Sequence, residues 1–358
     1  MKITHLDTQR IGIGNYAFGS AFGDKKRMLV YFSGGALVTD NGGDTWRVVP
    51  NDGKLHAMLY GRLNDGSYVG FDFTNVAGHK FDPEVQEKIP FILGMYRAKS
   101  FDDILAGRPQ RHFTTVDIPD LSIGYGDSGD HDSWGCGAMA SGIVQTENGD
   151  VIVSMYGQFK KDKSKLPYFT AYDFYQYRTW LLVSHDNCET FEYLSTVADC
   201  MTYPVPDAEG YCESDLLYYG NGRMLCVMRT QGHEVYTPMM RSISTDYGKT
   251  WSAPAEVNPY GVLPRLLRMR NGATVLCSGK WDIFLQTSED DGETWSKPYV
   301  ISENDGQWDR GPSGYNAIFE TEDDTLVVVY DITEDKTSND IKEGERRIVY
   351  VSRYKIER

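Results

Sequence analysis

Residues Ser244–Trp251 read Ser-Thr-Asp-Tyr-Gly-Lys-Thr-Trp, and residues Ser288–Trp295 read Ser-Glu-Asp-Asp-Gly-Glu-Thr-Trp. Both fit the pattern Ser/Thr-x-Asp-x-Gly-x-Thr-Trp/Phe. Two looser copies stand upstream, Thr39–Trp46 with Asn41 in the Asp position and Ser184–Phe191 with Cys188 in the Gly position. The spacing fits a hairpin: Asp accepts hydrogen bonds from its own turn, Gly takes a positive φ, and the aromatic ring folds back between strands. The motif is therefore structural rather than catalytic.

Between these copies runs a second recurring element, an apolar strand, an Asn/Asp-Gly turn and another apolar strand. It appears in Tyr60–Phe71, Gly142–Val153, Leu216–Met228 and Leu266–Cys277, with a Gly-less version in Ile318–Tyr330. Asn-Gly between β-rich runs is a strong hairpin signal. One such hairpin and one motif-bearing hairpin make a four-stranded unit of about 45–60 residues, the length of a propeller blade. The 358 residues then accommodate six or seven blades. With no linker or low-complexity stretch, the expectation is one all-β domain over residues 1–358 made of four-stranded antiparallel blades. The stretch Arg97–Asp132 fits the repeat badly and is expected to hold long loops. The strand Arg347–Tyr354, after the charged loop starting at Glu334, is expected to complete a blade begun at the N-terminus.

Composition agrees: 24 Tyr, 7 Trp and 36 Gly suit many strands joined by tight turns. Carboxylates outnumber Lys and Arg 51 to 36, for a net charge of −15, which argues against nucleic acid and anionic membrane surfaces as partners. Residues 1–18 lack the continuous apolar stretch of a secretory signal, and no run approaches the roughly 18 apolar residues of a membrane helix. The six cysteines are scattered without a CxxC pair, so buried free thiols and a cytoplasmic location are expected. No metal-ligand spacing, phosphate-binding glycine loop or serine-nucleophile motif is present, so no cofactor or metal is expected.

The repeated turn is that of the BNR, or Asp-box, repeat, and Met139–Asp331 resembles the bacterial sialidases beyond it. Ala140–Gln158 is similar to their glycine-rich strand pair. Tyr211–Thr230 is similar to their Glu, strand, turn, strand, Arg stretch, and Ser313–Asp331 to their Tyr-bearing strand and its partner ending in Tyr-acid. The resemblance implies a six-bladed β-propeller and an exo-glycosidase acting on a terminal acidic sugar, sialic acid above all. By it, Tyr315 matches the nucleophile, Glu213 the carboxylate that activates it, and Arg229 one of three arginines binding the substrate carboxylate. The residue types make chemical sense. A sialic acid carries a carboxylate on its anomeric carbon, which would repel an anionic nucleophile, whereas a phenol activated by Glu avoids that repulsion. Arginine suits the substrate carboxylate through its planar fork.

The sequence departs from the family elsewhere. Arg10 is the nearest match to the first arginine, and the position of the third offers Lys280 and then Asp282. The acid/base Asp has no clear counterpart, and Asp24 and the cluster Asp127, Asp130 and Asp132 around His131 are candidates by composition. Arg178 and Arg241 each stand just before a repeated turn, where pairing with its acids is expected; both are also candidate substrate ligands. Three functions stay open: a sialidase-like hydrolase, a uronate-directed glycosidase or lyase using His131, and a non-catalytic propeller binding glycan or protein. The expected partner is a carbohydrate.

Overall fold

The repeated turns and hairpins lie where the sequence puts them. A computed structural model describes residues 1–13, 22–23, 26–32, 35–50, 59–71, 91–121, 142–159, 162, 176–230, 236–280, 282–303, 311–321, 324–333 and 347–358. Their strands form six four-stranded antiparallel sheets, the blades of a six-bladed β-propeller.

The chain divides into two compact units, 1–58 with 104–107 and 261–358, and 59–103 with 108–260. The first unit holds blade 1 (Phe22–Gly23, Met28–Phe32, Gly35–Thr39, Arg47–Pro50) and blade 5 (Val262–Arg268, Thr274–Gly279, Ile283–Ser288, Tyr299–Ser302). It also holds blade 6 (Gly311–Glu320, Thr325–Thr333, Arg347–Glu357), whose fourth strand is the N-terminal Lys2–Ile13, as expected. The second unit holds blade 2 (Leu59–Arg62, Tyr68–Phe71, Phe91–Ala98, Gln110–Val116) and blade 3 (Ile143–Gln145, Val151–Gly157, Arg178–Ser184, Glu192–Ala198). Blade 4 (Cys212–Gly220, Arg223–Arg229, Met239–Ser244, Ala255–Asn258) completes it.

Second strands such as Thr274–Gly279 are buried along their whole length, because both faces of the sheet are covered. Fourth strands alternate or stay exposed, as Gln110–Val116 does. In the first unit one core packs Val275, Cys277, Leu285, Leu326 and Val328, and another Val30, Leu37, Val327, Val329 and Val351. In the second, Trp180 and Phe71 belong to one core and Leu181, Leu216 and Cys226 to the next. Cys188, Cys200, Cys212, Cys226 and Cys277 are buried free thiols, as the sequence predicts, while Cys136 lies outside the described residues.

The repeated turns join third to fourth strands in blades 1, 3, 4 and 5, and their bonding explains the letters. In Ser184–Phe191 the Ser184 hydroxyl accepts from the Cys188 N–H at 2.8 Å and donates to Asp186 Oδ1 at 2.8 Å. Asp186 in turn accepts from the Thr190 N–H at 2.9 Å and its hydroxyl at 2.6 Å. Ser244–Trp251 and Ser288–Trp295 repeat these bonds. The Trp ring does more than fill space: Trp46, Trp251 and Trp295 donate their indole N–H to the carbonyl of the residue in the Gly position, at 3.0, 3.1 and 3.2 Å.

Two of the looser letters prove compatible. Asn41 accepts from the Thr45 N–H at 3.0 Å and donates through Nδ2 to Thr45 Oγ1 at 2.9 Å, reversing one bond of the aspartate version. Cys188 adopts φ 66° where the other copies have glycine. Such a conformation costs about 1–3 kcal/mol, and the fully buried thiol offsets part of it by joining the core with Phe71 and Phe191. In the Asn/Asp-Gly hairpins, Asp324 at φ 60° fills the place that Gly66, Gly149 and Gly272 take elsewhere.

Of the stretch expected to hold long loops, Arg97–Asp132, residues 122–132 lie outside the described residues and the rest is described. Its residues up to Val116 are the third and fourth strands of blade 2, joined by the short helix Phe101–Leu105 instead of a repeated turn. Ser100 and Asp103 stand in for the turn motif there, with the Ser100 hydroxyl donating to Asp103 at 2.8 Å.

The Thr190 hydroxyl, then the Thr190 N–H, hold the Asp186 carboxyl down to about 2, against a smaller opposing effect of burial. A depressed folded-state value stabilises the fold above the unfolded value of about 3.9 and is lost as pH falls through about 2. Asp186→Ala should therefore lower the thermal unfolding midpoint at pH 7, by a margin that shrinks below pH ~4 and vanishes near pH ~2. Asp186→Asn should recover more than half of that loss, as Asn41 does the same work; calorimetry across pH checks both.

Candidate functional site

Each blade has a hairpin end, with the first-to-second hairpin and the third-to-fourth turn, and a loop end, where first strands start and second strands finish. At the loop end of blade 4 the first strand carries an irregularity. Cys212 pairs with Arg229 and Asp215 with Val227, so the first strand has one residue more than its partner. Glu213 lies in this bulge at φ 38°, in the left-handed region, and is buried. Bulges re-aim side chains, and strain of this kind persists only where the surroundings impose it.

The surroundings are in view. Arg229 ends the second strand, and its Nη1 lies 2.6 Å from Glu213 Oε1 while its Nη2 donates to Glu209 Oε2 at 3.2 Å. All three side chains are at most about one fifth exposed. The Pro- and Gly-containing approach to Glu213 is tied to blade 3. Tyr177 donates to the Glu209 carbonyl and accepts from the Tyr211 N–H, at 2.9 and 3.0 Å. A Cβ on Gly210 would stand 2.3 Å from the Tyr177 nitrogen, so only glycine allows this crossing. Tyr211 is buried and donates to the Tyr203 carbonyl at 2.9 Å.

Next along the chain from Tyr177, Arg178 does not pair with a turn acid as the sequence suggests. It donates to the fully buried carboxylate of Asp162 at 2.9 Å and covers the Phe159 ring at 4.5 Å. Arg241 sits half-buried on the third strand of blade 4, opposite Val227 and Ala255.

The first unit repeats the device. In blade 5, Leu263 at φ 41° occupies the bulge position of Glu213, between Val262↔Gly279 and Arg265↔Cys277. In blade 6 the bulge is larger: Ser313, Gly314 and Tyr315 lie between Pro312↔Ile332 and Asn316↔Tyr330, opposite Asp331 alone. The Ser313 N–H donates to Asp331 Oδ1 at 3.2 Å, and the Tyr315 N–H to Ser313 Oγ at 3.1 Å. Asn316 Nδ2 ties the loop down by donating to the Gly314 and Leu263 carbonyls, each at 3.2 Å. Tyr315 is half-buried. The fully buried Asp331 also accepts from Arg347 Nη1 at 3.2 Å.

Lys280 is half-buried at φ 84° just after the second strand of blade 5, where its N–H donates to the Asp282 carbonyl at 3.0 Å. Arg10, the candidate first arginine, is exposed on the edge strand of blade 6 opposite Tyr350. Asp130 and His131, with Asp24, Asp127 and Asp132, lie outside the described residues.

Sequence reasoning missed Glu209, Asp162 and Arg347. Glu209 stands four residues before Glu213, and that pair of acids ahead of an apolar strand was the available signal. Arg347 reads in sequence as the last charge of an acidic loop, because its partner Asp331 is remote along the chain. Among the described residues no group of His, Cys, Asp and Glu is arranged to hold a metal.

The profile of a family described as BNR repeat-like domain matches residues 136–329. No curated protein matches the chain in sequence. A Dyadobacter fermentans protein of unknown function superposes with a TM-score of 0.64 at 15% identity, over 99% of each chain. A Hadza microbial sialidase gives 0.52 at 13% identity, over 89% of this chain and 63% of that one. A Trypanosoma rangeli sialidase gives 0.48 at 9% identity, over 98% and 60%. The chain thus spans less than two thirds of either sialidase, and what identities this low share is the fold.

Gly314, at φ 87°, could not carry a Cβ without placing it 2.5 Å from the Lys280 nitrogen and 2.8 Å from the Gly279 carbonyl carbon. Gly314→Ala should destabilise the protein by about 1–3 kcal/mol in urea unfolding. An unchanged midpoint would mean that the bulge is free to rearrange.

Proposed function

The chain belongs to the BNR repeat-like domain family, and from that premise we propose that it is a glycoside hydrolase removing a terminal acidic sugar, with sialic acid the first substrate to test. The observation that carries this reading is the buried Arg229–Glu213 pair, 2.6 Å apart, on a bulge that holds Glu213 in a strained conformation. A hydrophobic pair at this site would be cheaper for folding, since a buried ion pair returns little net stability. Strain and buried charge together point to use in function.

In this reading Tyr315 is the nucleophile. Its oxygen attacks the anomeric carbon, its proton goes to Glu213, and the bond to the leaving oxygen breaks. An aspartic acid, with Asp24, Asp127, Asp130 and Asp132 beside His131 as the candidates, protonates that oxygen. Water then attacks from the face the leaving group vacated and displaces the tyrosyl oxygen, which takes its proton back from Glu213, so configuration is retained. Arg229 is the ligand of the sugar carboxylate, with Lys280, Arg10, Arg178 and Arg241 as further candidates. Asp331 supports Tyr315 indirectly, by holding the Ser313 N–H of the same bulge.

One observation favours a second reading, a hydrolase of an uncharged terminal sugar. Arg229 already faces two carboxylates, Glu209 and Glu213, and so offers an incoming anion less than a lone arginine would.

Purified protein should release a fluorescent aglycone from a sialoside, and Tyr315→Phe and Glu213→Gln should each lower kcat at least about 100-fold. Thermal unfolding of the variants separates loss of chemistry from loss of fold. Release from a uronoside or a neutral glycoside alone would replace the acidic-sugar reading, and no release from any of the three would leave glycan binding without hydrolysis.

A further inference from the structure

Blade 4 carries a second feature at the same loop end as Glu213 and Arg229. Tyr236, in the connection from the second to the third strand, is 59% exposed, the most exposed of the large apolar side chains among the described residues. Its ring meets that of Tyr260 edge to face, with centroids 5.6 Å apart and planes at 75°. Tyr260 comes from a different connection, the one that leaves the fourth strand after Asn258. Asn258 Nδ2 donates to the Tyr260 carbonyl at 2.8 Å, which fixes that turn. On the other side, the Thr230 hydroxyl donates to the Pro238 carbonyl at 2.5 Å and lies 2.9 Å from Thr237 Oγ1. Two separately anchored loops thus bring two rings together in solvent.

An aromatic side chain in water gains by covering its face, and Tyr236 leaves more than half of its surface exposed. The ring is nevertheless buttressed, so its orientation is set in advance. A phenol ring more than half exposed, held edge to face by a second ring, matches a sugar ring, which has an apolar face of C–H groups and hydroxyls at its edge.

The order of strands across the sheet places it. Glu213 and Arg229 lie on the first and second strands, and the loops bearing Tyr236 and Tyr260 adjoin the ends of the third and fourth. Two strand spacings amount to roughly 10 Å. A terminal sugar held at Arg229 would therefore leave the Tyr236 ring to a sugar further along the chain.

We propose that Tyr236, buttressed by Tyr260, is the platform on which the leaving-group part of an oligosaccharide stacks, and that the protein is built for oligosaccharides rather than simple glycosides. This rests on the hydrolase reading above.

The test compares sialyl-lactose with methyl sialoside, following free sialic acid. Tyr236→Ala should raise KM for sialyl-lactose about tenfold, the size of one aromatic contact, with KM for methyl sialoside unchanged. Tyr236→Phe, which keeps the ring, should restore the wild-type KM. Equal KM changes on both substrates, or none on either, would overturn the platform. Should wild-type protein hydrolyse neither substrate, the hydrolase reading fails separately, and the platform is judged by NMR titration with a panel of neutral and acidic oligosaccharides. Ring-proton shifts of Tyr236 with any of them would support it, and their absence from all would overturn it.

Discussion

The antiparallel seam between Lys2–Ile13 and Arg347–Glu357 is the constraint on which blade 6 depends. Without the N-terminal strand, Arg347–Glu357 would be an open sheet edge, with unpaired N–H and C=O groups along its length. The seam is reinforced by side chains: Arg353 donates to Asp7 through Nε at 3.0 Å and also to Asp44, and Thr8 Oγ1 lies 2.8 Å from Ser352 Oγ. The Arg353 bond holds the Asp7 carboxyl below its ordinary range, and the Asp7 bond raises the guanidinium in return. Because Tyr315 and Asp331 sit on the first two strands of this sheet, their positions inherit their rigidity from a pairing that joins residues more than 340 positions apart.

A second regularity operates at the loop ends. Blades 4, 5 and 6 each break register near the start of the first strand, and each break is followed by a buried polar residue: Asp215, Arg265 and Asn316. The device is shared while the side chain it presents is not: Glu213 in blade 4, Leu263 in blade 5, Tyr315 in blade 6. One backbone solution thus presents a carboxylate, an aliphatic side chain and a phenol in turn. Repetition supplies the scaffold, and single substitutions at its bulges supply the differences.

This division explains what could be read in advance. The turns are local, with donor and acceptor within eight residues, so the Ser/Thr, Asp, Gly and Thr letters expose them directly. The hairpins from Tyr60, Gly142, Leu216 and Leu266 were legible for the same reason. Blade 2 was harder, because Ser100 and a short helix replace its turn. The family resemblance singles out Glu213, Arg229 and Tyr315, but it does not give the settings in which the structure holds them. Whether Arg229 faces one carboxylate or two depends on how Gly210 crosses Tyr177, some 30 residues away along the chain. Arg178 finds Asp162 rather than its neighbouring turn because the second and third strands of blade 3 bring them together. Long-range partners of this kind leave no spacing in the sequence.

The repeated turn also carries redundancy. Each copy is a small closed circuit of bonds, and Asn41 and Cys188 alter letters while leaving that circuit intact. Degeneracy here is chemical rather than alphabetical: what matters is a hydroxyl that can both accept and donate, an acceptor two residues on, and a backbone able to turn left-handed. Repeats in related chains would then be missed by matching letters and found by scoring those capacities. A blade without the letters can still carry the wiring, built from other atoms.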